Sequence, residues 1–344
     1  MEVNNRINYI DQLKGIAILL VVLGHFIEHN NGRDNFMWLF IYSFHMPLFM
    51  FISGYVMQMS FRIEDIDLKN VIVFINKKVR SLLVPFVSWG IIIPYFFFRS
   101  SDVGFDIFLM DFIERWGGGL WFLATLFILS MLFLLYRWIM QLIGQKGNMD
   151  LIVIILLFLF VVFLYKISSG KIYLEGLRST VSYFLFYFGG VIVMKHKRLN
   201  MILLNNERFF TFCILMFFLL LPSFIDISSL GISQSFNKII LAPFAIFAIF
   251  FIIRHIRWYR YIDMMFQYFG RESLSIYVTH NGPFVFLLFV ADYLPLSPAN
   301  NIIWFTISLA ISIFICFAMI YLKNVLSISS ILAFVFYGKK VKMN

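Results

Sequence analysis

The 344-residue chain is 61% hydrophobic and 20% aromatic, and only 13% of it is charged. A soluble domain carries about a quarter charged residues, so this composition excludes an ordinary soluble enzyme. Its net charge of +10 needs no nucleic-acid partner, because membrane topology accounts for it, as argued below.

Long apolar runs recur almost to the end of the chain, and no polar linker separates them. The chain therefore reads as one all-α, polytopic membrane domain over residues 1–344, with no appended extracytoplasmic domain expected. The first apolar run lacks a small-residue cleavage site and reads as a retained span rather than a signal peptide. Cys213 and Cys316 both lie in apolar runs, where they suit packing better than a disulfide or a metal site.

About ten spans of roughly twenty apolar residues are expected. They lie near 10–28, 36–60, 80–98, 118–138, 151–166, 180–194, 209–226, 238–254, 273–292 and 301–323. The fifth and sixth are short, which points to tilting, a break or pairing around a cavity. The tail "SSILAFVFYGKKVKMN" reads as an interfacial helix with a basic flank. With both termini placed in the cytoplasm, most of the 28 Lys and Arg fall on inner segments. The outer loops then hold only Arg33, Arg99, Arg115, Lys166, Lys171 and Arg178, with Lys238 at a boundary. That asymmetry follows the positive-inside rule.

Taken in chain order, several spans carry groups that a bilayer makes costly. "DQLKGIAILLVVLGHF" holds Asp11, Lys14 and His25. Eleven residues of helix advance three turns almost without rotation, about 16 Å, so Lys14 and His25 share a face at different depths. Lys14 either snorkels to headgroups or grips an anion. His25 is either an interhelical hydrogen-bonding group or an acid–base group. Asp11, one turn before Lys14, is placed to pair with it and lies too far along the helix to orient His25. "SFHMPLFMFISGY" brings His45 and Pro47 into the second span, where the proline should free a backbone carbonyl. "KKVRSLLVPFVSW" stacks Lys77, Lys78 and Arg80 at the inner mouth of the third span, for lipid headgroups or for an anion. "GGGLWFLATLF" opens the fourth span with glycines and Trp121, an interfacial aromatic or a platform for a sugar ring. "FGRESLSIYVTH" places Tyr277 and His280 in the ninth span. His29 lies at the outer end of the first span, while His196 and His255 fall in basic flanks. Three intramembrane histidines, each within a polar or helix-distorting stretch, point to a reaction chamber. Neither zinc-ligand spacing nor a nucleotide-binding glycine loop is present, so no metal is expected.

The chain resembles the membrane-embedded acyltransferase 3 family, whose bacterial members O-acylate carbohydrates. The resemblance is carried by "RINYIDQLKGIAILLVVLGH", "FHMPLFMFISGY", "RSLLVPFVSW", "LWFL" and "SLSIYVTH", in that order over nearly the whole chain. In that family the first span carries Arg or Lys, ten residues, then His, positions held here by Lys14 and His25. The resemblance implies an acyl-CoA donor of cytoplasmic origin, acetyl-CoA by frequency, with succinyl the alternative. Its phosphates would meet Lys14, helped by Lys77, Lys78 and Arg80. His25 would be the general base toward an acceptor hydroxyl, with His45 and His280 as further catalytic candidates and Asp11 positioning Lys14. Tyr277 is a candidate acyl carrier or substrate contact, and Trp121 a sugar contact. The implied acceptor is a lipid-linked or surface glycan (O-antigen, capsule or exopolysaccharide), in the bacterial inner membrane. The acyl group would pass directly or through a separate acyl-carrying protein. Two other classes fit many spans and central histidines: a glycan-precursor transporter or flippase, and an envelope glycan polymerase. No internal repeat favours the transporter, and the outer loops are poor in the arginines that a polymerase would use.

Overall fold

In the computed structural model the described residues are 8–30, 36–61, 66–98, 104–114, 118–144, 149–168, 174–229, 234–280 and 301–339. Among them no strand occurs, and the helices run in chain order as follows. α1 is Asn8–His29, α2 Phe36–Tyr42, α3 His45–Ser60 and α4 Leu68–Lys78. π-helical turns at Val79–Leu83 and Ser88–Ile92 flank the short α5, Val84–Val87, and a third covers Pro94–Phe98. Then come α6 (Phe105–Glu114), α7 (Trp121–Leu142), α8 (Asp150–Ile167), α9 (Leu174–Lys195) and α10 (Lys197–Asn205). α11 (Glu207–Ser229), α12 (Gln234–His255), α13 (Arg260–Arg271), α14 (Ser273–His280), α15 (Asn301–Leu326) and α16 (Ser330–Tyr337) complete the order.

Among the described residues nine helical segments are long and apolar enough to cross a membrane. The protein is an all-α, multi-pass membrane protein, as its composition predicts. The ninth expected span, 273–292, is described only to His280, as α14; residues 281–292 lie outside the described residues. Three expectations need adjusting. The second span breaks at Ser43–Phe44, between α2 and α3, so Pro47 falls in the first turn of α3 where a missing N–H costs little. The third runs over Leu68–Phe96, twelve residues earlier at its start than the sequence implied, because the polar face of α4 continues the helix. The sixth is not short: α9 is an unbroken helix of 22 residues.

The chain packs as two compact units. The first comprises residues 1–59, 189–280 and 284–320. Its centre is α1, fourteen of whose residues are buried, among them Leu13, Val22 and Phe26. α1 lies along α13, and the two backbones touch because neither helix has a side chain at the crossing points. A Cβ on Gly15 would strike the carbonyl of Phe266, and one on Gly270 the carbonyl of Asp11. Gln12 donates to Asp263 across the same seam, and Gln267 supports that carboxylate at 2.9 Å. Near the other end of α1, Leu23 and Ile27 pack with Ile41 and Trp304.

The second unit comprises the described residues within 60–188 and 321–339. Phe61 packs edge-on to Phe133, ring centroids 5.1 Å apart, and the Arg137 guanidinium lies 5.0 Å from its ring. Tyr136 donates to the buried Asp150 at 2.7 Å, joining α7 to α8. α16, the helix expected in the tail, docks on the π-helical stretch: Ser88 Oγ and Trp89 Nε1 donate to the carbonyls of Val335 and Phe336. Gly338 ends α16 with φ +60°, a left-handed cap that only glycine adopts cheaply. Its α-carbon faces the carbonyl of Arg80 with no room for a Cβ.

Candidate active site

The uninterrupted α1 carries Lys14 and His25 on one face, about 16 Å apart along the axis by helix geometry. Lys14 is half-buried. His25 is 26% exposed, and its Nδ1 lies 3.4 Å from Oε2 of Glu28, one turn later and 19% exposed. The same carboxylate oxygen accepts from the Tyr42 hydroxyl at 2.6 Å. Tyr42, the last residue of α2, stacks on Trp38 with centroids 4.1 Å apart. It presents its edge to His25 and leans on His45, at 6.4 Å and 4.6 Å between centroids. Tyr42 of α2 thus holds Glu28 in place, and Glu28 in turn orients His25.

His45 opens α3 just after the break, where helix geometry leaves carbonyls short of donors. Its Nδ1 takes the Ile41 carbonyl at 2.8 Å, and its charge environment includes Lys238 of α12 together with His25 and Glu28. The same carbonyl also accepts from the Phe44 backbone N–H at 3.3 Å, so at the break it has both a backbone and a side-chain donor.

His280 closes α14 and is 1% exposed. Its Nδ1 faces the carbonyls of Tyr277 at 2.8 Å and Ile276 at 3.2 Å. A carbonyl only accepts, so Nδ1 carries the hydrogen and Nε2 presents a bare lone pair. That Nε2 is buried and has no hydrogen-bond partner among the described residues. The ring sits 5.3 Å from His25 and 5.6 Å from Tyr277, centroid to centroid.

His25, His45, His280 and Tyr277 therefore gather in the first unit, from three helices, α1, α3 and α14, of which the last is far from the others in sequence. Asp11 lies on α1 about four turns from His25; it is buried, and its backbone meets Gly270. Lys77, Lys78, Arg80 and Trp121 belong to the second unit. There Lys77 is exposed, and the Lys78 ammonium lies 5.6 Å from the Phe74 ring. Arg80 is half-buried in the first π-turn, its Nε without an acceptor among the described residues. Trp121 stacks on Tyr183 with centroids 5.1 Å apart.

Sequence reasoning missed Glu28 and Tyr42. The one available signal was spacing: His25 and Glu28 are three apart on a helix and so share a face. Among the described residues no group of three His, Cys, Asp or Glu is placed to hold a metal ion. The arrangement suits proton transfer. A carboxylate at Nδ1 fixes the imidazole's tautomer, leaves Nε2 free to take a proton, and stabilises the imidazolium that results.

Nodulation protein NolL of Sinorhizobium fredii (strain NBRC 101917 / NGR234) is 36% identical over 162 residues, 40% of this chain and 40% of that protein. Nodulation protein NolL of Mesorhizobium japonicum (strain LMG 29417 / CECT 9101 / MAFF 303099) is 34% identical over 137 residues, 36% of this chain and 34% of that protein. The matched part is thus well under half the length of either relative. No solved structure matches. The profile of the acyltransferase 3 family, described as an acyltransferase domain, matches residues 7–321 and so takes in every residue of the histidine cluster. With nearly the whole chain covered, the protein belongs to the acyltransferase 3 family.

Proposed function

We propose that the protein is a multi-pass O-acyltransferase of the bacterial plasma membrane, both termini cytoplasmic, which moves an acetyl group from acetyl-CoA to a hydroxyl of a lipid-linked or surface glycan. The observation that carries this reading is the His25–Glu28 pair, 3.4 Å apart beside the buried ring of His280. An activated hydroxyl is what acyl transfer from a thioester needs, and family membership supplies the reaction class.

In this reading Lys14 meets the donor's phosphates at the inner end of α1. The donor's slender pantetheine arm spans the depth between Lys14 and His25. The acceptor hydroxyl donates to His25 Nε2 and attacks the thioester carbonyl, and its proton passes to the imidazole. The resulting imidazolium is held by Glu28 at Nδ1. Collapse of the tetrahedral intermediate forms the ester and breaks the C–S bond, and the imidazolium returns the proton to the departing CoA thiolate. Tyr277 serves the acceptor side. Direct transfer requires no separate acyl-carrying protein.

The test uses purified protein in nanodiscs with labelled acetyl-CoA and a lipid-linked glycan extract. Release of CoA together with label on the glycan is expected for the wild type and lost in His25→Ala. Full labelling by His25→Ala refutes the base assignment. Wild-type protein that is folded yet binds no acetyl-CoA refutes the donor, and the transporter reading then takes over.

A further inference from the structure

Arg254, in the last turn of α12, sits at the lysine- and arginine-rich end of the first unit. Its Nη1 donates to the side-chain oxygens of Asn200 and Asn205, each at 3.1 Å. Its Nη2 donates to the hydroxyls of Tyr9 at 2.9 Å and Tyr55 at 2.7 Å. Its guanidinium carbon also lies 4.6 Å from the Tyr9 ring centroid. All four acceptors are neutral. A partly buried guanidinium ordinarily takes a carboxylate, yet among the described residues this one has none.

Counting hydrogens shows what the cluster has left over. The Tyr55 oxygen receives Arg254 and, at 2.9 Å, Asn200 Nδ2, which fills its two acceptor positions. Tyr55 must then donate its own hydrogen to Tyr9, 3.2 Å away. The Tyr9 oxygen now receives both Tyr55 and Arg254, so it too is full. The Tyr9 hydroxyl hydrogen is therefore left pointing out of the network. Arg254 Nε is buried and likewise without a partner among the described residues. The result is a net positive cluster, rigid from four elements, with one oriented O–H donor at its edge. Lys195, His196, Lys197 and Arg198 lie on the turn just before Asn200 and deepen the positive potential.

We propose that the Tyr9–Arg254 cluster is a phosphoryl-anion site, the Tyr9 hydroxyl donating to a phosphate oxygen and the Arg254 guanidinium providing the compensating charge. Two sources share that chemistry: the nucleotide phosphates of acyl-CoA, and the phosphate of an anionic lipid. The first is the assignment made here, and it rests on the acyl-CoA donor proposed above. Tyr9 lies about 7.5 Å before Lys14 along the axis of α1 and about 140° around it.

The experiment measures binding of acetyl-CoA and of acetyl-pantetheine, which lacks the nucleotide, to wild-type protein, Tyr9→Phe and Arg254→Lys. It is run in nanodiscs of phosphatidylcholine with and without phosphatidylglycerol, and the melting temperature is recorded in each lipid. Tyr9→Phe keeps the ring but removes the outward hydrogen together with the oxygen that accepts from Tyr55 and Arg254; it is expected to weaken acetyl-CoA binding about tenfold, while unchanged acetyl-pantetheine binding shows that the fold is intact. Arg254→Lys, which loses the forked donors, is expected to weaken it further. Unchanged acetyl-CoA affinity, combined with a phosphatidylglycerol-dependent stabilisation that Tyr9→Phe abolishes, overturns the nucleotide assignment and identifies a lipid phosphate. Equal behaviour of all three proteins toward both ligands and both lipids overturns the site and leaves the cluster a structural clamp. If the wild type binds no acetyl-CoA, the donor reading fails, and the lipid comparison alone decides the site.

Discussion

The bare Nε2 of His280 and the carboxylate-held ring of His25 stand side by side, ring centroids 5.3 Å apart, and the two histidines are fixed in different ways. His280 is locked by backbone carbonyls, which bear no charge and stabilise no imidazolium strongly. His25 is held by Glu28, which does. Of the two, His25 has a carboxylate at its ring, while His280 presents a buried Nε2 with no partner among the described residues.

This difference sets a kinetic expectation. Glu28→Gln keeps the shape and removes the charge, so acetyl transfer should fall about 10²-fold or more in kcat with little change in KM for acetyl-CoA. A KM effect as large as the kcat effect would show that Glu28 belongs to donor binding instead.

Tyr42 offers a milder probe of the same carboxylate. Tyr42→Phe removes the 2.6 Å hydrogen bond to Glu28 and keeps the ring against Trp38 and His45. Transfer should slow by about tenfold, and Glu28→Gln should abolish any further effect of Tyr42→Phe. Additive losses in the double variant would show that the tyrosine acts elsewhere.

The seam between α1 and α13 predicts a stability effect with no direct catalytic cause. Gly270→Ala or Gly15→Ala forces a methyl against a carbonyl that cannot rotate away, at a cost of about 1–3 kcal/mol or more. Thermal unfolding in detergent should show a lowered midpoint for each. A wild-type midpoint for both would mean that the two helices separate without cost.

Gly338 gives a parallel test in the second unit. Any side chain there suffers both the left-handed φ of +60° and collision with the Arg80 carbonyl. Gly338→Ala should therefore undock α16, and Ser88→Ala with Trp89→Phe, which removes the two donors to its last carbonyls, should reproduce the loss. Limited proteolysis at the tail reads both, and resistance equal to wild type refutes the docking.

Much of this molecule is legible in its residues. The spans follow from apolar length, and the histidines stand out because a bilayer penalises them. Glu28 was harder to see, since a carboxylate at the end of a span reads as solvated until Tyr42 is folded over it. Arg254 was read as one more topological cation, because nothing in sequence reveals that Tyr9, Tyr55, Asn200 and Asn205 converge on it. Pro47 is the helix disruptor that the sequence points to in the second span, yet the helix parts a turn earlier, at Ser43–Phe44, where His45 Nδ1 donates to the Ile41 carbonyl. α13 looked like a basic flank, although Gly270 and its partner Gly15 are the residues that bring its backbone against α1.

That glycine seam also has a mechanical side. A contact cushioned by leucine or methionine yields by rotamer changes, and small strains die out within it. Here backbone meets backbone with nothing compliant between, so any shift of α13 is passed undamped into α1 at the position next to Lys14. The amphipathic α13, with Tyr261, Ile262 and Met264 exposed, is thereby a rigid lever on the cationic end of the helix that carries His25. A tilt of this lever therefore moves α1 as one body, carrying Lys14 and His25 together with their separation of about 16 Å unchanged.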